Sequence, residues 1–177
     1  MPILLRVVIF SLCLTLLFTA FTNLLPQIEG EAEAPLAMID NDEAARIAAG
    51  EQLFNGKGSC ALCHNAMDRA PDLMAVDVIQ LSLERLREPG YGGMATSAEE
   101  YLFESMVRPS AFVVAGYGVK GSEPQLSPMP DVSEPPISLS LEEISAVIAF
   151  LQAKDGYPVS TESLADNFLG RTAVEVH

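Results

Sequence analysis

Basic residues are scarce in this chain, and their scarcity bears on several classes of function. Among 177 residues, 10 are Lys or Arg and 24 are Asp or Glu, so the formal net charge is −14. A nucleic-acid-binding protein needs a basic face that neutralises phosphates, and a protein that lies on an anionic membrane surface needs one too. The composition therefore argues against both classes and leaves a partner with a basic surface open.

Cysteine and histidine are also few, and β-strand patterns are missing. Three Cys and two His leave almost no side chains for a site that binds several metal ions. No segment alternates apolar and polar residues over the length of a strand, and no internal repeat is found. The sequence predicts a small all-α protein, whose length suits one domain with appendages.

One long apolar run stands at the amino-terminal end. Residues 7–25 carry no charge, and about 20 apolar residues suffice to cross a bilayer. We expect residues 1–25 to be an N-terminal transmembrane anchor; a cleaved signal peptide is the alternative, although no clean Ala-x-Ala site follows the apolar run at the expected place. Arg6 precedes the run and only acidic residues follow it closely. The positive-inside rule then predicts a single-pass protein of the cell membrane with its folded domain on the periplasmic or outer side.

The remainder of the chain divides into three parts. Residues 26–40 are rich in Pro, Ala and Glu and are predicted to be an acidic linker. Residues 41–154 are predicted to form the folded domain, and residues 155–177 a C-terminal tail to which the sequence assigns no role. Apolar periodicity and capping signals predict four helices in the domain, with capping boxes at Ser97 and Ser140. The predicted helices cover residues 42–54, 76–87, 97–107 and 140–153, and the proline-rich residues 110–138 between the last two are predicted to be irregular.

The motif that carries chemistry is Cys60-Ala61-Leu62-Cys63-His64, a C-x-x-C-H pattern. In this spacing two thiols attach haem covalently and the adjacent histidine binds its iron. Structural zinc is an alternative, but only Cys13 and His177 remain as further ligands. A thioredoxin-type dithiol would stand in a βαβ pattern, which is missing, and a simple disulfide is the third alternative. The motif predicts one haem c, attached through Cys60 and Cys63 and ligated by His64.

The sixth iron ligand is predicted to be a methionine, because the other histidine is the last residue of the chain. Met129 stands between two prolines, which restrict the backbone and reduce the entropy lost on ligation. Met94, in a glycine-rich loop, and an open sixth position are the alternatives. Met106 falls inside a predicted helix and is expected in the core. Ligation by His64 and Met129 would raise the reduction potential.

The predicted folded domain resembles a class I cytochrome c. Beyond the haem motif, Gly50-x-x-x-Phe54 precedes the motif by the family's usual interval, and Pro71 follows it. The resemblance implies about four helices around one covalent haem, with long loops. It also implies that the first helix crosses the last through Gly50, Phe54 and residues 149–151. The carbonyl of Pro71 would accept the ring N–H of His64 and fix its orientation.

Residues 99–110, 115–117 and 127–130 are similar to cytochrome c domains of respiratory membrane complexes. Examples are the domains fused to oxidase subunit II and the single-haem subunit of alternative complex III. The resemblance implies electron transfer rather than enzymatic catalysis, with partners among the other subunits of such a complex or a soluble redox protein. An independent tethered electron shuttle and a haem sensor or enzyme with an open sixth site are the alternatives. The candidates for pairing with haem carboxylates are Arg69, Arg85 and Arg108.

Overall fold

The computed structural model describes residues 2–24, 42–122, 125–159 and 168. These residues form helices and loops without a β-strand, which confirms the predicted all-α class for the described part of the chain. The helices are α1 Ile3–Leu24, α2 Glu43–Asn55, α3 Val78–Leu86, α4 Ala98–Val107 and α5 Leu141–Lys154, with a short 3₁₀-helix at Cys60–Leu62. The chain divides into two compact units, Met1–Ala34 and Pro35–His177.

The first unit contains α1, a 22-residue helix. Its segment Ile3–Thr22 has a mean hydropathy of 2.4 and none of it is buried against protein. Twenty helical residues rise about 30 Å, the thickness of a bilayer core. Length and composition therefore suit a membrane span, criteria that an N-terminal signal sequence also meets. The predicted end of the span at residue 25 and the predicted linker, residues 26–40, lie outside the described residues.

Side-chain caps set where the helices of the second unit begin. The capping box predicted at Ser140 is complete, because the Ser140 hydroxyl and the Glu143 carboxylate each bind the backbone N–H of the other residue. Ser97 likewise accepts the Glu100 N–H, but the Glu100 carboxylate binds the N–H and hydroxyl of Thr96. The second domain helix is shorter than predicted.

That shortening follows from Asp77, whose carboxylate accepts the N–H of Gln80 and makes Asp77 the N-cap of α3. The N–H of Val78, the first residue of α3, donates to the Asp155 carboxylate at 2.7 Å. The two bonds satisfy amide groups that the first turn of a helix leaves free. They also attach the start of α3 to the C-cap residue of α5.

Helices α2 and α5 cross at Gly50. A Cβ atom at Gly50 would lie 2.0 Å from the carbonyl oxygen of Ala146 and 2.9 Å from Cβ of Phe150. One turn further along α2, Phe54 is buried and its ring centre lies 5.6 Å from that of Phe150. The crossing expected from the resemblance is therefore present, with Ala146 as the closest backbone contact.

The core of the domain forms where α2, α3, α4 and α5 pack together. It includes Phe103 of α4, whose ring centre lies 5.4 Å from that of Phe168 in the C-terminal tail. Both rings are fully buried, so a tail residue completes the core. The described residues between α4 and α5 contain neither helix nor strand, as predicted for residues 110–138.

Candidate functional site

The segment that carries the C-x-x-C-H motif begins with a tight turn at the end of α2. The Gly58 N–H donates to the Leu53 carbonyl at 2.8 Å. A Cβ atom at Gly58 would lie 2.8 Å from the same oxygen and 3.2 Å from Sγ of Cys60, so a side chain has no room there. Ser59 adopts a left-handed conformation with φ of 54°, and the 3₁₀-helix follows. The turn therefore seats Cys60 against the end of α2.

The 3₁₀-helix brings both thiols and the histidine onto one turn. The backbone N–H groups of Cys63 and His64 both donate to the carbonyl of Cys60, at 3.1 and 2.9 Å. All three cysteines of the described residues are free thiols, so the alternative of a disulfide is not formed. No group of three or more Cys, His, Asp or Glu side chains in this part of the chain is arranged to hold a metal ion. His177, the further ligand that the zinc alternative requires, lies outside the described residues.

The Cys60 thiol is partly buried and contacts the core, whereas Cys63 is exposed. Burial raises the pKa of the Cys60 thiol to about 11. The attacking thiol of a redox-active dithiol needs the opposite shift, because its reactive form is the thiolate. The environment of Cys60 is therefore unsuited to the attacking role in a thioredoxin-type reaction.

The His64 ring is fixed by Pro71. Nδ1 of His64 lies 2.9 Å from the Pro71 carbonyl oxygen. Because a carbonyl only accepts, this bond requires the proton on Nδ1 and leaves Nε2 with its lone pair. Burial lowers the pKa of the imidazole, against smaller opposing effects of the Pro71 bond and of Asp72. The contact expected from the resemblance is present, and it presents Nε2 of a neutral imidazole, the form that binds metals.

Hydrogen bonds hold the loop that follows His64. The side-chain amide of Asn65 donates to the Ala61 carbonyl at 2.7 Å and its oxygen accepts the Met67 N–H at 2.8 Å. Further along, the Tyr117 hydroxyl lies 3.3 Å from Oδ1 of Asp68. That contact joins the motif loop to the long loop between α4 and α5. Sequence analysis missed Asn65, although Asn commonly binds nearby backbone groups in this way.

Exposed apolar side chains are concentrated on these two loops. Outside α1, the described large apolar residues that are strongly exposed are mostly Leu62, Met67, Met74, Val119 and Leu126, with exposed fractions of 44–65%. The remaining one, Leu141, begins α5. Exposed apolar area is unfavourable at about 25 cal/mol per Å². A large apolar group held against the two loops would remove part of it from water.

Met129 lies on the loop between α4 and α5. It packs against the same core as Cys60 and lines an open cleft of about 530 Å³. The residues that line the cleft are Arg108, Pro109, Ser110, Ala111, Met129 and Asp131. The structure thus brings Cys60, Cys63, His64 and Pro71 together and places Met129 in a cleft whose lining, among the described residues, is confined to the α4–α5 loop.

The other methionines have distinct environments. Met106 is buried in the core, as predicted. The backbone of Met94 is attached to α4, because its N–H donates to Oε1 of the buried Glu104 at 2.9 Å. Its sulfur lies 3.2 Å from Nη1 of Arg108. The sequence offered no sign of this support, since Glu104 stands ten residues further along the chain inside α4.

The three candidate arginines also differ. Arg85 pairs with Glu88 within one turn, and Arg69 contacts the sulfur of Met67 at 3.6 Å. Arg108 lines the cleft beside Met129, with the Glu104 carboxylate 3.8 Å away. Of the three, Arg108 is therefore the one placed beside a predicted iron ligand.

An ion pair with one buried partner, Glu143, attaches the motif turn to α5. Nζ of Lys57 lies 2.6 and 2.8 Å from the two carboxylate oxygens of Glu143, which is 1% exposed. The two residues are 86 positions apart, and no local pattern predicts their contact. The pair therefore fixes the position of the turn that leads into the C-x-x-C-H motif.

Comparison of the chain with protein-family models and with curated proteins gives no significant match.

Proposed function

We propose that this chain is a membrane-anchored, single-haem c-type cytochrome with a class I fold, which transfers single electrons. The observation that carries the proposal is the 3₁₀ turn at Cys60–Leu62. It gathers two free thiols and an imidazole whose Nδ1 is bound to the Pro71 carbonyl, so that Nε2 is available for iron. This donor set matches the chemistry of covalent haem attachment.

Each residue of the site has a definite task. The thiols of Cys60 and Cys63 would hold the haem covalently, through one thioether bond each. Nε2 of His64 and the sulfur of Met129 would bind its iron. The Arg108 guanidinium would face a haem carboxylate in the cleft that it shares with Met129. When bound, the group supplies an iron that cycles between two oxidation states by one electron.

The surroundings of the motif support an apolar planar ligand. The exposed apolar side chains lie on the two loops that the Tyr117–Asp68 contact joins. Covalent attachment keeps a large cofactor with few further contacts, which suits a small domain. The bond from His64 to Pro71 holds the imidazole ring in one orientation. The chain's contribution is to bind, orient and shield the group, and it breaks no substrate bond.

Location and partners follow from α1 and from the charge of the chain. An uncleaved α1 would hold the haem domain at the periplasmic or outer face of the cell membrane. We propose that the protein is a subunit of a quinol-oxidising or other energy-transducing membrane complex, and that its acidic domain meets basic surfaces. Co-purification in mild detergent tests this placement. A lone monomer would favour an independent tethered shuttle instead.

One observation favours a second candidate, a haem sensor or enzyme with an open sixth site. The cleft lined by Met129 is open, and its lining does not include the motif loop. This candidate requires that Met129 does not bind iron. It predicts that carbon monoxide binds readily to the unmutated ferrous protein.

Absorption spectroscopy of the full chain, expressed with haem-attachment machinery, decides between the two candidates. We expect the weak red band of methionine–iron ligation in the ferric protein and no carbon monoxide binding in the ferrous protein. Met129→Ala should lose the band and gain carbon monoxide binding, and Met94→Ala should change neither. A protein that is isolated without haem would contradict the proposed function altogether.

A further inference from the structure

The backbone around Met129 is held by two serine hydroxyls. Oγ of Ser127 accepts the Met129 N–H at 3.1 Å. The N–H of Ser127 in turn donates to Oγ of Ser110 at 3.1 Å. On the far side of the segment, the Val132 N–H donates to the Met106 carbonyl of α4 at 3.0 Å. The Met129 segment is therefore attached on both sides to the C-terminal end of α4 and the residues just after it.

Because of the two prolines, these two serine bonds account for every backbone N–H group of the segment. Residues 127–130 read Ser-Pro-Met-Pro, and proline has no backbone N–H. Only Ser127 and Met129 can donate from the backbone there, and both donate to a serine hydroxyl. The prolines restrict the dihedral angles of the segment, and the serines fix its position against the chain that follows α4.

Ser110 also lies on the side of Met129 that is accessible to solvent. It lines the same open cleft as Met129 and Arg108. A ligand from solution that replaces the methionine sulfur at the iron needs Met129 to move away. The serine bonds oppose the backbone part of that movement, because they hold the segment that carries Met129.

We propose that Ser110 and Ser127 are positioning residues that hold the sulfur of Met129 at the iron and limit its replacement by outside ligands. The inference rests on the proposed function, with Met129 as sixth ligand. Neither serine touches the iron, and each acts through the backbone of the Met129 segment. Loss of one neutral hydrogen bond changes an equilibrium by roughly three- to tenfold.

The test is imidazole binding to the ferric, haem-loaded full chain, followed by loss of the red methionine band. Ser127→Ala should keep the band and the haem content but bind imidazole roughly three- to tenfold more tightly than the parent protein. Ser110→Ala should shift affinity in the same direction. Because the two hydroxyls act in one chain of bonds, the double variant should show less than the product of the two effects.

Ser122→Ala is the matched control. Oγ of Ser122 accepts the Leu126 N–H at 2.9 Å in the same loop, a bond of the same kind that does not involve Met129. Its imidazole affinity should equal that of the parent. If Ser127→Ala binds imidazole no more tightly than Ser122→Ala while both keep the red band, the positioning role is contradicted and the proposed function stands. If the parent lacks the red band, Met129 is not the ligand and both proposals fail.

Discussion

At the scale of single residues, close contacts with backbone oxygens require glycine at three positions of the domain, Gly50, Gly56 and Gly58. Gly50 lets α2 approach the backbone of α5, and Gly58 lets the chain fold back over the end of α2 beside Cys60. In all three places a Cβ atom would lie under 3.0 Å from a backbone oxygen. The backbone cannot yield as a flexible side chain can, so these positions determine how closely the elements pack.

Gly50→Ala should therefore destabilise the protein by about 2–3 kcal/mol, because its methyl group overlaps the Ala146 carbonyl oxygen at 2.0 Å. Chemical denaturation of the haem-loaded protein measures the change. Gly90→Ala is the control, since a Cβ atom there meets nothing within 4 Å. Equal stability of the two variants would contradict the close helix crossing.

A second prediction at this scale concerns the protonation of His64. Its pKa is lowered from 6.5 by burial in the folded protein. The unfolded chain therefore binds a proton more readily, and stability should fall as pH decreases through about 6.5. We expect this effect in the haem-free double variant Cys60→Ser/Cys63→Ser, because no iron binds the imidazole there. The free energy of unfolding between pH 8 and pH 5 measures it.

The matched variant adds His64→Asn to the same haem-free background, because asparagine keeps a donor for Pro71 but does not titrate in this range. The slope of stability between pH 7 and pH 5.5 should be smaller in this variant. An unchanged slope would mean that carboxylates alone account for the acid sensitivity.

At the scale of elements, the motif turn depends on contacts far away in the sequence. The Lys57–Glu143 pair links it to the start of α5, and Glu143 also completes the capping box with Ser140. The Glu143 carboxylate therefore stabilises both the start of α5 and the turn that leads into the C-x-x-C-H motif. Such a buried carboxylate needs all its partners, because an unpaired buried charge is costly.

Lys57→Met should destabilise the protein by about 2–3 kcal/mol and lower the yield of attached haem, because it leaves the Glu143 carboxylate without its cation. The estimate lies below that of a fully buried pair because Lys57 is 34% exposed. Arg85→Met, which removes the more exposed pair with Glu88, should cost at most about 1 kcal/mol. Thermal unfolding and haem content measure both, and a Lys57→Met protein no less stable than Arg85→Met would contradict this role.

The helices and the motif loop could be predicted from local sequence, whereas their long-range supports could not. Ser140 and Glu143 predict the start of α5, because a capping box is formed within four residues. Glu143 also binds Lys57, a contact that depends on how α2 and α5 pack. The hydrogen bond from the Met94 N–H to the Glu104 carboxylate could not be predicted for the same reason. The Ser127 bond to Met129 is local and was detectable from the sequence.

At the scale of the whole molecule, the apolar residues of the chain lie mainly in two places, helix α1 and the core of the folded domain. Helix α1 holds a large share of them exposed, and the domain buries much of the remainder in one core to which Phe168 of the tail contributes. The domain carries most of the acidic residues of the chain. A helix of this kind would keep an otherwise water-soluble acidic domain at a membrane.

We therefore expect the mature protein to sediment with membranes and to resist extraction by alkaline carbonate. The proposed anchor role of α1 predicts that the protein's intact mass includes residues 1–25. Replacing residues 1–25 by a cleavable export signal should release a soluble, haem-loaded domain. A native protein whose mass lacks these residues and which is found in the soluble fraction would show that α1 is a signal sequence.

The central claim, covalent haem at the C-x-x-C-H turn, is tested most directly by the mass of one peptide. Trypsin cleaves after Lys57 and Arg69, which isolates residues 58–69 with both thiols and His64. From the full chain expressed with haem-attachment machinery, we predict that this peptide carries the mass of one haem and has no thiol left to alkylate. A peptide at its unmodified mass, with both Cys60 and Cys63 alkylated, would contradict the account.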